Sequence, residues 1–415
     1  MASKSSALGA LTYNTESSFC ENSTTFSTAR LRPIDGIIDT AGLVQSMQKI
    51  DILKQRPSEG VQDVRMPITG ASFSATFALT GLGSTAATTL PAATELMTFL
   101  SHVFGATGAS ISAGTTSSSG TASAPVTAAS GTGTAGGLLH VGVKGDTRAD
   151  GQWAAIDTHS GTTLNLLTAL PAAPASADVV YGARVVYPSE TAGTFETVQS
   201  LRFLIQTSQQ QYRCHGCYPT AAEFMIGVGE VAKIKVTFAV SYFTTSNVTF
   251  PSATSVQDYG AAVVAGGSLF RQTLGTATRN TETVRAFSFG LALNNTPELG
   301  PNGVFANQVI VGCNRGPTVG TIEMTVDSES AGTDTHGALW DADENSRVFQ
   351  HILYSMNVSD GRAMALYFPK CKWIAEKPVQ MNDSGVNRKK LKFEALTGPT
   401  TTTDLTLSPW RLGFA

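Results

Sequence analysis

The sequence predicts a mainly β protein built from two tandem β units, and three observations carry that expectation. Residues Lys233 to Tyr242 alternate: Ile234, Val236, Phe238, Val240 and Tyr242 are apolar, while Lys233, Lys235, Thr237, Ala239 and Ser241 are polar or small. That is the pattern of a half-buried antiparallel strand. Two stretches, Pro219 to Val240 and Pro369 to Ala395, read as hairpins that close on a Lys-apolar-Lys-apolar run, which implies a duplicated unit. Charged residues make up only 14% of the chain, against about 25% in ordinary soluble domains, while hydrophobic content is 42%. Thr, Ser, Ala and Gly fill the difference. Such a surface costs little to desolvate and suits burial against further copies of itself.

The 415 residues suffice for about two domains. Residues 1–60 read as an N-terminal arm and charged contact loop, 61–255 as the first β domain, 256–396 as the second, and 397–415 as a C-terminal arm. Strands are expected at Val64 to Leu79, Val179 to Tyr187, Gln308 to Cys313, Thr321 to Val326 and Arg362 to Phe368. Leu201, Phe203 and Ile205 alternate clearly; Val284, Ala286 and Ser288 alternate against Arg285, Phe287 and Phe289 with less contrast. Each unit carries one short helix. Pro91 to Phe104 places Leu96, Met97, Leu100, Val103 and Phe104 on one face, with Gly105 as its stop. Asp341 to Met356 gathers Val348, Phe349, Ile352, Leu353 and Met356, and Asp341 with Glu344 forms a capping pair.

Residues 105–137 form an uncharged insertion of Gly, Ala, Ser and Thr, broken only by Ile111, Pro125 and Val126. Its composition fits a free linker or a segment lying on a neighbouring surface. The tail after Leu396 is a second candidate arm, with Trp410 and Phe414 as its anchors.

Several function classes find no support. A net charge of −3 does not suit a nucleic-acid grip, which needs clustered Lys and Arg. No apolar run approaches the roughly 18 residues of a membrane span, and the N-terminus lacks the apolar core of a secretory signal. The five cysteines are scattered, and reduced thiols are expected. Cys214-His215-Gly216-Cys217 has redox-like and zinc-like spacing, but no helix follows it and no second ligand pair accompanies it. Gly227-Val228-Gly229-Glu230-Val231-Ala232 imitates a dinucleotide fingerprint, yet a strand follows, so the glycines read as a hairpin turn. Asp341-Ala342-Asp343-Glu344-Asn345 imitates a calcium loop but has Ser346 where Gly is required and Ile352 where Glu is required. No nucleophile elbow occurs, and the six histidines (His102, His140, His159, His215, His336, His351) lie in dissimilar surroundings. No catalytic, cofactor-binding or metal site is expected.

One segment stands out in this charge-poor chain. Lys49, Asp51, Lys54, Arg56, Glu59, Asp63 and Arg65 crowd the approach to the first long strand, as a solvated loop or a charged contact surface.

The order of the second half, Phe287 to Asn295 (FSFGLALNN), Val309 to Gly320 (VIVGCNRGPTVG), the helix over 341–356, then Ala363 to Ala395, resembles the tail tube proteins of long-tailed bacteriophages. The resemblance is in particular to the family whose members carry two tube-type halves. The first half matches through Glu95 to Gly105 and Gly216 to Phe238, so the resemblance covers roughly residues 60–395. It implies two tube-type β-sandwich or half-barrel units that give strands to the inner β-barrel of a ring, with edges consumed by neighbours. It further implies stacked rings, trimeric and pseudo-hexameric or hexameric, in the virion tail, made in the host cytoplasm. Tail terminator, tail tip or baseplate, and tape measure proteins would be partners, with double-stranded DNA in the lumen and no membrane. A coat protein or adhesin, and a β-rich hydrolase, are the rival classes.

Overall fold

The structure, a computed structural model, describes residues 10–23, 25–26, 29–34, 38–44, 47–51, 61–65, 70–82, 93–109, 115–127, 136–142, 151–174, 179–188, 198–207, 210–246, 255–256, 263, 268–273, 280–301, 303–305, 308–327, 349–356, 362–374, 380–383, 386–397 and 404–415. Strands dominate. The chain opens with β1 (Ala10–Thr15), β2 (Ala29–Leu31), β3 (Met47–Asp51), β4 (Val61–Arg65), β5 (Ala71–Ala78) and helix α1 (Glu95–Phe104). Next come β6 (Gly105–Ala109), β7 (Thr115–Gly120), β8 (Pro125–Thr127), β9 (Leu138–Val141), β10 (Trp153–Ser160), β11 (Thr163–Leu166) and β12 (Val179–Gly182). The long strands follow: β13 (Arg184–Pro188), β14 (Leu201–Gln206), β15 (Gln211–Gly227) and β16 (Lys233–Ser246). The second half holds β17 (Ser255–Val256), β18 (Ser268–Thr273), β19 (Asn280–Ala292), β20 (Thr296–Leu299), β21 (Ile310–Asn314), β22 (Val319–Asp327), β23 (Gln350–Met356) and β24 (Met364–Trp373). It ends with β25 (Gln380–Asp383), β26 (Val386–Ala395), helix α2 (Asp404–Leu407) and β27 (Arg411–Phe414).

The strand pairings run round two closed circuits. In the first, β2 pairs β1, then β14, β15, β16 and β5 follow by antiparallel pairing. The chain beyond β2 closes it: Ile34 N donates to Thr76 O at 2.8 Å and Ser72 N donates to Gly42 O at 3.0 Å. Helix α1 packs into this circuit through Phe99, whose ring meets Tyr13 at 5.1 Å and Phe77 at 5.3 Å. Thr94 caps the helix by accepting from Met97 N, and Gly105 ends it at φ 104. In the second circuit, β19 pairs β22, β22 pairs β26, and β24, β23 and β18 lead back to β19. Phe287 stacks on Tyr354 at 4.4 Å and Phe289 meets Phe368 edge-on at 4.7 Å in its core. The circuits share a seam, β15 against β19, from Ala221↔Ala292 to Gly227↔Ala286.

A third unit is a closed six-stranded barrel of β7 to β12, entered and left through the paired β6 and β13. Leu139, Ile156, Leu164 and Val180 fill it.

Two expectations are corrected, and both terminal stretches find a place in the sheet. The helix expected over Asp341 to Met356 is strand β23 from Gln350 onward; residues 341–348, with the calcium-like acids, lie outside the described residues. All seven residues of β23 are buried between β18 and β24, with Ile352, Tyr354 and Met356 in the main core and Leu353 in a second cluster. A strand apolar on both faces loses its period-two contrast, and its spacing then fits a helix equally well. The uncharged insertion 105–137 is not a free linker where described, since β6 joins the main sheet and β7 and β8 join the small barrel. The C-terminal arm folds back on its own chain as β27, with Trp410 and Phe414 fully buried. The N-terminal stretch likewise places β1 along the whole of β14.

Candidate functional site

Six strands lie side by side across the two circuits in the order β5, β16, β15, β19, β22, β26. Register carries one apolar row straight across: Phe77, Ile234, Phe224, Phe289, Ile322, Phe393. All six are fully buried. Because side chains alternate, the next row, Ala78, Lys233, Met225, Ser288, Glu323, Lys392, belongs to the opposite side. The Lys-apolar-Lys-apolar runs of the sequence therefore sit in β16 and β26 with their lysines on one polar face.

Charge on that face is locally compensated. Glu323 accepts from Lys392 Nζ at 2.8 Å and Lys390 Nζ at 3.1 Å, and those bonds hold its carboxyl below the usual range. Asp327 takes a bidentate contact from Arg285, at 2.7 Å from Nη2 and 2.9 Å from Nε, with Arg388 at 4.0 Å. Its carboxyl is likewise lowered, chiefly by Arg285. Register sets Glu223 opposite Lys235. These pairs face water, so each contributes roughly 0–1 kcal/mol; they set a charge pattern more than they add stability.

The Cys214–Cys217 motif lies elsewhere, inside β15, with both thiols buried. Beside it the buried Glu16 carboxylate accepts from Cys20 N at 3.0 Å and Gly216 N at 3.2 Å. Burial raises its pKa, opposed by hydrogen bonds from Ser200, Gly216 and Cys20 and by the charge of Arg202. His215 Nδ1 lies 3.1 Å from the Glu21 carbonyl and 3.8 Å from Glu16. Burial lowers the His215 pKa, so at neutral pH the ring is uncharged and donates to that carbonyl, and no ion pair with Glu16 forms. Burial pushes the Cys217 and Cys20 thiols up, away from the reactive thiolate. The cluster fastens residues 16–21 to β15. No group of His, Cys, Asp and Glu suited to a metal ion occurs among the described residues. The glycine motif forms the turn between β15 and β16, where Glu230 N donates to Gly227 O at 3.1 Å and Gly229 adopts φ 79.

Of the charged segment, Lys49 and Asp51 fall in β3 and Asp63 and Arg65 in β4; Lys54, Arg56 and Glu59 lie outside the described residues. The two strands pair as a separate ribbon with Lys49 opposite Asp63. Sequence reasoning missed Glu323 and Asp327. Their signal was present: Thr321, Glu323, Thr325 and Asp327 alternate against Ile322, Met324 and Val326. A comparison with models of known protein families and with curated proteins finds no match.

Proposed function

We propose that the chain is a structural virion protein, a subunit that assembles into stacked rings forming a bacteriophage tail tube through which double-stranded DNA passes. The observation that carries this reading is the six-stranded sheet, to which each half gives three strands, apolar on one face and charged on the other. A conduit wall needs a wet inner surface that does not hold its cargo. Here Glu323 engages Lys390 and Lys392 and Asp327 engages Arg285, so DNA phosphates would have to displace fixed partners before releasing any counterions. The polar face is accordingly the one turned to the lumen. Three strands from each half, repeated by a three-fold axis, give six similar triplets around a ring, which favours three chains per ring over six. The β3–β4 ribbon, with its charged residues, fits a contact between stacked rings. Terminator, tip and tape measure proteins would meet the ends and the bore of such a tube. The order of weak elements that resembles tail tube proteins supports the same reading.

Negative-stain microscopy and native mass measurement of purified protein test it. Rings or tubes of uniform bore with three chains per ring are expected. Monodisperse monomers, or closed shells of a coat protein, would overturn the proposal.

A further inference from the structure

We infer that the cleft between β13 and β24 is a β-addition site for an extended peptide, and that residues 404–415 are its ligand, bound in cis. The inference stands apart from the tail-tube reading. Strand β27 is bonded along both edges: Arg184↔Phe414, Val185↔Gly413 and Val186↔Leu412 on the β13 side, and Met364↔Phe414 through Tyr367↔Arg411 on the β24 side. Among the described residues β13 and β24 are joined only through it. Main-chain bonding on both sides gives affinity without sequence preference; pockets for alternate side chains supply the preference.

Those pockets are distinct on the two faces. Trp410, Leu412 and Phe414 belong to the main core. The Trp410 ring meets Phe104 at 4.7 Å, Phe289 at 5.7 Å and Phe224 at 6.0 Å, so it touches helix α1 and both strands of the seam. On the other face, Arg411 Nη1 donates to Gly136 O at 2.8 Å, Nη2 donates to Thr406 O at 3.2 Å, and the guanidinium lies 5.2 Å from the Tyr367 ring centre. Gly413 is needed for room: a Cβ there would stand 2.7 Å from Leu138 Cδ1 and 3.1 Å from the Trp153 ring, both fully buried. The site thus selects an extended apolar-Arg-apolar-Gly-apolar segment, with one face reading the two circuits and the other the small barrel. The stretch before it, Thr397-Gly398-Pro399-Thr400-Thr401-Thr402-Thr403, contains neither a charge nor an aromatic ring.

The test keeps the whole chain. A specific protease site is inserted between Thr400 and Thr403, the protein is cleaved, and the products are followed by size exclusion and mass spectrometry. The 404–415 fragment should stay bound to a folded body and should exchange with an excess of the same peptide carrying a fluorophore at its N-terminus. Peptides with Trp410→Ala or Gly413→Val should compete about 30-fold less well or worse, the loss expected when an anchor worth at least about 2 kcal/mol is removed. A body that unfolds on cleavage, a fragment that leaves and does not rebind, or variant peptides that compete as well as the native one would each overturn the inference.

Discussion

The two faces of the six-stranded sheet are made by the same residues' backbones and differ only in which side chains alternate onto them. On one face, Phe77, Ile234, Phe224, Phe289, Ile322 and Phe393 form a buried row that crosses from one half of the chain to the other. On the other, acids and bases are paired in water. Burial makes the first face the source of stability, since a fully buried large side chain is worth about 1.5–3 kcal/mol from transfer alone. The second face is nearly neutral for folding and is therefore free to be shaped by what passes over it or binds to it.

The contrast breaks most visibly at Phe289, which meets Phe224, Phe368 and Trp410 at once. Phe289→Ala should cost about 3–5 kcal/mol in chemical denaturation, because the cavity would be lined on several sides by rings that cannot all move in. Thr321→Ala or Thr325→Ala, on adjacent β22 but on the polar face, should change stability by no more than about 0.5 kcal/mol. Equal losses at the two faces would mean that the polar face is packed against something in the isolated chain.

Glu16 comes next in expected size. Glu16→Ala leaves the N–H groups of Cys20 and Gly216 buried without their acceptor, a cost of about 1–3 kcal/mol each. Its pH dependence has a definite sign. The folded pKa is raised above the ordinary 4.5, with burial the largest cause, so the stability linked to this proton is fully present below about pH 4.5 and is lost as pH rises through the folded value. Glu16→Gln keeps one acceptor and removes the titration. Wild type should therefore fall in melting temperature relative to Glu16→Gln between pH 4 and pH 7, apart from effects common to both; a difference that moves the other way would show a carboxylate stabilised by its ionic form.

How much of this was legible depended on contrast between neighbours. Strands β16 and β26 were plain because lysines alternate with large apolar residues along them. Strand β19 was blurred by the register shift between Val284 and Ala286, which buries Val284 and Phe287 on one side despite their odd spacing. Strand β23 was mistaken for a helix because both its faces are covered. The small barrel was hidden for the opposite reason: β7 and β8 are largely Thr, Ser and Gly, whose side chains differ too little to mark an inside. Glu16 had no local signal at all, since its Gly216 partner lies 200 residues away. The turn at Gly227–Glu230 and the stop at Gly105 were legible, because turn and cap chemistry is local.

Among the charged residues, the β3–β4 ribbon sharpens the comparison from outside the sheet. On the tail-tube reading, changing Lys54, Arg56 and Arg65 to Glu should leave melting temperature nearly unchanged and single rings intact while preventing stacking, and wild-type stacking should weaken with salt. Electron microscopy of the triple variant checks this; long tubes from it would remove the segment Lys49 to Arg65 from the stacking contact.

A small effect on folding should also come from the polar face itself, and it is there that the conduit reading is most exposed. Glu323→Lys with Asp327→Lys removes two half-buried acids that engage Lys390, Lys392, Arg285 and Arg388. Stability should change by no more than about 1 kcal/mol per pair, with some added repulsion among the bases that lose their partners. The linkage is correspondingly slight: both acids are held below their usual pKa values, so what they contribute is present above the unfolded pKa and fades as pH falls through the folded one. A wall so altered, however, becomes a strip of uncompensated Lys and Arg, which is what phosphate binding by counterion release requires. Tubes of the double variant should assemble and hold double-stranded DNA in a salt-dependent way, seen as raised absorbance at 260 nm that washes off at high salt, whereas wild-type tubes should not. If the variant assembles and still holds no DNA inside its bore, the polar face is turned elsewhere than the lumen.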